Sequence, residues 1–380
     1  MPRGFHTTIL STTLGSLLAA APLAAHPGDV PHAGHDEPVL LALADEKPAT
    51  PAPAAVPGVT GQGKYRFRLL YGRDHLPEPA VQVLTRAHGG FAVDRRKDKG
   101  DIYFALPGAG IVRISGDLKT TAMVDTPAPV RDNNQHNTLL WYAPDGRPFL
   151  TFPANDAGKV FTLTLDGKLL HTLDAPTPED DLGNPTATDY FRQKLKFTPT
   201  DVEQLDGLYY IPTGYSTLDY VLTARITLEP FSAKWNALSF GGKGGEPGQF
   251  GTGHGVTIPQ GVKRVDIADR PNSEIDRFSP DGRYLETVTL PKGSWPCDVW
   301  YEGKIAVVGC LHGPDRSKGA PIYILEDDKV VSTLMPKEDL GLDRFTHVHN
   351  AIGVTRNGKL YVIAQAWNPG DFAILEQIVD

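Results

Sequence analysis

The chain has 380 residues, with 37 basic against 45 acidic side chains and a formal net charge of −8. A modestly acidic surface without a Lys/Arg cluster argues against nucleic acid as the main partner, and the length allows one large domain or two ordinary ones. The 39 glycines and 33 prolines punctuate short apolar runs, and no long segment carries a helical period, so an all-β chain is expected.

The N-terminus reads as an export signal. Arg3 gives a basic start, Ile9 to Leu23 is apolar or small, and Leu23-Ala24-Ala25 resembles a cleavage site. The apolar stretch is short and interrupted by Ser and Thr, which disfavours a membrane span. Residues 1–25 are therefore expected to be a signal peptide, and the mature protein to be secreted or periplasmic. Residues 26–63, with His26, His32, His35 and the run Pro48 to Ala55, have the composition of a flexible linker. Its histidines serve as a solubilising tail in one reading and as a copper, nickel or zinc pick-up in another.

From residue 64 the chain repeats. Lys64 to Tyr71 alternates apolar and polar, as one strand does. Similar segments then begin at His88, His136, Asp201, His254, Asp298 and His349. Their spacing near fifty residues suits a four-stranded propeller blade. The last segment has room for about three strands; the Lys64–Tyr71 strand completes it and removes an exposed edge. The expected fold is thus a six-bladed β-propeller over residues 64–380. Innermost strands line the central channel, so the six segment starts form a ring. His136, His254 and His349 lie on alternating blades, an arrangement that suits three imidazoles around one Zn²⁺ with a fourth position open. The plainer alternative is a set of polar groups bonded to channel water. His88 is read as an extra axial polar group outside that triad. Cys297 and Cys310 flank a hairpin turning at Glu302-Gly303 almost symmetrically, so a disulfide between them is expected.

Several stretches resemble a known family. Gly241 to Phe250, Gly253-His254-Gly255-Val256 and Asp266 to Ile275 look like an NHL-type propeller repeat. The order Pro199-Thr-Asp-Val, Gly214-Tyr215-Ser, Pro247-Gly-Gln-Phe, Gly253-His-Gly, Ala268-Asp-Arg-Pro-Asn and Val348-His-Asn resembles peptidyl-α-hydroxyglycine α-amidating lyase, the lyase domain of peptidylglycine amidating enzymes. The likeness spans about residues 86 to 375 and is strongest between 199 and 285. It implies zinc on His136, His254 and His349, an active-site tyrosine at Tyr215, and substrate-binding arginines at Arg270 and Arg86. The implied reaction cleaves the C–N bond of a carbinolamide to an amide and glyoxylate. Asn350 stands where the family has an aspartate that helps hold a structural Ca²⁺, which lowers the expected calcium affinity. Two other readings fit the same pattern. One is a non-catalytic NHL propeller that binds peptide, glycan or protein partners. The other is a metal-dependent lactonase-like hydrolase with Asp201, Asp298 and Asn350 around calcium.

Overall fold

The computed structural model describes residues 57–379; the expected signal peptide and most of the linker lie outside the described residues. Six antiparallel sheets follow one another along the chain, five of four strands and one of five. They form a six-bladed β-propeller. The five-stranded sheet joins the two ends of the chain: His347–Arg356, Lys359–Trp367 and Asp371–Gln377 pair in sequence, and Tyr65–Tyr71 and then Thr60–Gln62 complete the outer edge.

The first half of the closing strand keeps the alternation expected of it, and a register shift between Leu69 and Tyr71 breaks it beyond, leaving Leu69 39 % exposed. Tyr65 and Phe67 are buried and Arg68 is exposed; burying a side chain such as Phe67 contributes about 1.5–3 kcal/mol. The register is Phe67 opposite Gln377 and Leu69 opposite Leu375. Thr60–Gln62 adds one further strand, so the sheet begins earlier than the boundary expected at residue 64.

Local turns fix each blade's register. Asp206 and Gly207 have φ of 49° and 79°, and Asn357 and Gly358 have 50° and 76°. Both pairs make two-residue hairpins whose positive φ values match strand twist, setting Leu205 opposite Leu208 and Arg356 opposite Lys359. Apolar side chains pack between neighbouring blades. Tyr210, Val221 and Phe240 of the third blade meet Phe250, Val256 and Phe278 at the fourth.

The innermost strands carry an irregularity that shapes the channel. In three of them the pairing register shifts around a single residue: His254, between Gly253 and Gly255; Cys297, between Pro296 and Asp298; and His349, between Val348 and Asn350. A β-bulge turns two consecutive side chains toward one side where a regular strand would show one. Each of these strands therefore presents two tiers to the axis. The upper tier holds His254, Cys297 and His349, and the lower tier holds Gly255, Asp298 and Asn350.

Candidate metal and catalytic site

The upper tier continues into the remaining blades. His136 N–H donates to Pro153 O, and Thr200 N–H donates to Pro212 O in the same way, so Thr200 is the third blade's counterpart of His136. This corrects the expected ring. Asp201 and Asp298 belong to the lower tier with Asn137 and Asn350, one residue further along each strand. Thr200 and Cys297 take the upper-tier places, where their backbone carbonyls do the orienting.

Four histidines meet there. His136, His254 and His349 have ring centroids 4.7–4.9 Å apart, and all are buried, at 0, 3 and 2 % exposure. His88, expected as an extra axial polar group outside the triad, has its ring 4.3 Å from His136 and 4.4 Å from His349. One ring nitrogen each from His88, His136 and His349 fall within 4.8 Å of one another.

Backbone carbonyls set the tautomers. His136 Nδ1 donates to Thr200 O at 2.5 Å, and His254 Nδ1 donates to Cys297 O at 2.6 Å. A carbonyl only accepts, so in each neutral ring the Nε2 lone pair is turned inward. Carbonyl-held imidazoles of this kind are typical of metal ligands. His88 differs: its Nδ1 lies 2.9 Å from Asn134 Nδ2, so a side-chain amide rather than a backbone carbonyl faces it. Neither ring nitrogen of His349 has a hydrogen-bond partner among the described residues, although the ring is buried. Burial holds the His254 and His349 pKa values well below the ordinary range, reinforced by Arg270 at His254 and by His88 at His349.

Tyr215 and Arg270 complete the cluster. Tyr215 sits in the tight turn Thr213 to Ser216, closed by Ser216 N–H to Thr213 O at 2.8 Å. That turn presses on the fourth blade, since a Cβ at Gly214 would lie 2.4 Å from Gly253 O. The Tyr215 hydroxyl is 3.2 Å from His136 Nε2 and 3.0 Å from His254 Nε2. Arg270, only 1 % exposed, donates Nη1 to that hydroxyl at 2.9 Å and Nη2 to Cys297 Sγ at 3.2 Å.

Two expectations change here. No disulfide joins Cys297 and Cys310, because the bulge sets Pro296 rather than Cys297 opposite Cys310 and turns Cys297 toward Arg270. Arg86 does not join the cluster. It is exposed at the end of the short helix Leu84–Arg86, with Nη1 over Gly108.

The lower tier is a carboxylate–carboxamide layer. Asp298 Oδ2 accepts from Asn350 Nδ2 at 2.9 Å and Asn137 Nδ2 at 3.4 Å, while Oδ1 accepts from Val299 N–H and the Thr257 hydroxyl. Burial pushes Asp298 up to about 6, and burial together with the Asp298 charge raises Asp201 well above the carboxylate range. Both carboxamides present hydrogens, not oxygens, to Asp298. Beyond this layer the channel opens into a cavity of about 650 Å³ lined by Asp201, Glu203, Asp298, Arg95 and Trp300.

On the histidine side a row of rings leads away from the cluster. Trp367 stacks on His88, and His347, His312 and Trp295 follow at 5.0–5.6 Å centroid spacing. Among the described residues no helix is long and apolar enough to cross a membrane.

No protein-family profile matches the chain, and no curated protein matches it. Among solved structures it is similar to a streptogramin B lyase, at 14 % identity over 75 % of this chain and 77 % of that one, with a TM-score of 0.45. Virginiamycin B lyase from Staphylococcus aureus is 14 % identical over 78 % of this chain and 96 % of that one, with a TM-score of 0.44. A DUF4221 family member from Bacteroides vulgatus is 10 % identical over 83 % and 98 %, with a TM-score of 0.49. The propeller assignment rests on the strand pairing itself.

Proposed function

We propose that this propeller is an exported zinc-dependent carbon–nitrogen lyase acting on a peptidyl-α-hydroxyglycine or related carbinolamide. The observation that carries this reading is the meeting of His136 Nε2, His254 Nε2 and Arg270 Nη1 on the Tyr215 hydroxyl. Beside them the buried His349 ring has no hydrogen-bond partner on either nitrogen among the described residues. A divalent cation meets that need, and an all-imidazole set suits zinc. His136, His254 and His349 would hold it.

Zinc bound there would supply Lewis acidity toward the substrate hydroxyl. Tyr215 is placed to take the hydroxyl proton at Oη. The electron pair left on that oxygen forms the aldehyde C=O of glyoxylate as the C–N bond breaks. The amide nitrogen keeps the C–N pair and gains one proton, which Tyr215 can return, so the step balances. Arg270 donates to the phenol oxygen and so favours its deprotonated form. Its fork is directed to Tyr215 and Cys297, which suits activating the tyrosine better than gripping a substrate carboxylate.

The test is glyoxylate release from α-hydroxyhippurate by the zinc-loaded protein. Release by the wild type, lost in Tyr215→Phe with zinc still bound, supports this reading. No release, or release unaffected by that substitution, overturns it.

A further inference from the structure

A second group of carboxylates lies in the fourth blade, away from the histidine cluster. Glu274 and Asp276 are two apart on the strand Glu274–Phe278, so both point to one face. Asp269, on Val265–Asp269, pairs directly with Glu274 across the sheet and shares that face. Backbone register alone thus brings three acids together, and one carboxylate oxygen from each lies within 4.8 Å of the others.

Charge is not balanced locally. Four of the blade's basic side chains are engaged elsewhere: Lys263 with Asp206, Arg264 with Asp266, Arg277 with Asp328 and Glu286, and Arg270 with Tyr215 and Cys297. None of the three carboxylates forms an ion pair among the described residues. Asp269 accepts from Gly251 N–H, Thr252 N–H and Asn272 Nδ2. Asp276 Oδ1 accepts from the Thr287 hydroxyl. Asp276 Oδ2 has no close hydrogen-bond partner among the described residues, although the residue is 0 % exposed; the Gly248 N–H bears on the same carboxylate. A buried carboxylate oxygen without a partner is costly, and here it sits beside two further acids. Burial and mutual repulsion push Asp269 up to about 6 and Glu274 up to about 7.

We infer that Asp269, Glu274 and Asp276 form a calcium site. The donors are all oxygen, three carboxylates offer a larger negative charge than one ion needs, and Glu274 is only half-buried, so an ion can enter. Asp269 ties the loop that leads through Thr252 to His254, and it precedes Arg270. A cation at this site braces both approaches to the histidine cluster. It is separate from the lower-tier layer around Asp298 and does not depend on the lyase reading.

The experiment uses full-length protein freed of divalent ions on a chelating resin. Calcium binding is measured by equilibrium dialysis, and melting temperature with and without 1 mM CaCl₂. The wild type is expected to take up about one calcium per chain and to melt roughly 3 °C or more higher with it. Glu274→Gln and Asp276→Asn should each weaken binding by about tenfold or more and lose the melting shift, while Asp298→Asn keeps both. Metal-free Asp276→Asn should melt above metal-free wild type, because the repulsive oxygen is gone. The inference is overturned if calcium leaves the wild-type midpoint unchanged, or if Glu274→Gln, at the half-buried position that best tolerates change, binds calcium as wild type does. Loss of the effect only in Asp298→Asn would also overturn it.

Discussion

The Tyr215 hydroxyl stands 2.9 Å from Nη1 of Arg270, so a buried cation and a phenol share a contact at the edge of the histidine cluster. Removing the phenol oxygen takes away the proposed base without emptying the pocket. Tyr215→Phe should lower kcat/KM on α-hydroxyhippurate by about 10²–10⁴-fold, with zinc content and melting temperature near wild type. Steady-state kinetics beside metal analysis checks this; parallel loss of zinc would make Tyr215 a structural support instead.

The four histidines should separate by what holds their rings. His136 and His254 are held by backbone carbonyls with Nε2 turned inward, whereas His88 faces the Asn134 side-chain amide. His254→Ala or His349→Ala should abolish stoichiometric zinc binding. His88→Ala should keep the metal and weaken it by about 10–100-fold, as loss of a supporting partner does. Competition with a chromophoric chelator distinguishes them, using protein that lacks the histidine-rich segment before residue 57. Equal loss in all three variants would place His88 among the ligands.

The bulge at His254 offers a separate check on geometry. A Cβ on Gly255 would lie 2.4 Å from Cys297 O, the carbonyl that holds His254 Nδ1, and 2.8 Å from Asp298 Oδ1. Gly255→Ala should therefore cost about 1–3 kcal/mol by overpacking and weaken zinc as well. Gly72→Ala, with nothing within 4 Å, is the neutral control. Urea unfolding of the two variants decides it, and a neutral Gly255→Ala would refute the two-tier channel.

The cysteines give a chemical test of the same bulge. Both are buried and not joined to each other, and burial raises the Cys310 thiol well above its ordinary pKa. Native protein should react slowly with a thiol reagent, and both groups should react on unfolding without reductant. Recovery of no thiols after unfolding would restore the cross-link.

Much of this was legible in the residues, and the failures share a cause. The six segment starts and the closing strand at Tyr65–Tyr71 follow from spacing and alternation, which depend only on each strand's own sequence. The ring members were misaligned in two blades because Thr200-Asp201 and Cys297-Asp298 were matched on aspartate. The dipeptides His136-Asn137 and His349-Asn350 carried the better signal, a polar group in each of two successive tiers. A bulge alters pairing between strands, so it is invisible to periodicity within one strand; the same oversight produced the expected disulfide. His88 was read in the ring but outside the ligand triad because the resemblance gave it no role, and closure of the ring brings the first blade beside the sixth.

The stability of the fourth blade should depend on pH through Asp219. Its carboxylate accepts from Gly253 N–H at 2.9 Å and meets Lys243 at 3.3 Å. Burial nevertheless dominates over Lys243 and pushes its pKa up to about 7. The folded state therefore binds this proton more tightly than the unfolded chain does. The stability it contributes is complete below the ordinary carboxylate pKa near 3.8 and is lost as pH rises through about 7. Asparagine mimics the protonated form and keeps an oxygen for Gly253 N–H. Asp219→Asn should gain about 1–3 kcal/mol on wild type between pH 5 and pH 8. Urea midpoints at the two pH values measure the difference. Parallel losses in both proteins between pH 5 and pH 8 would mean that Lys243 keeps Asp219 ionised throughout, and the buried-acid account of this blade would fail.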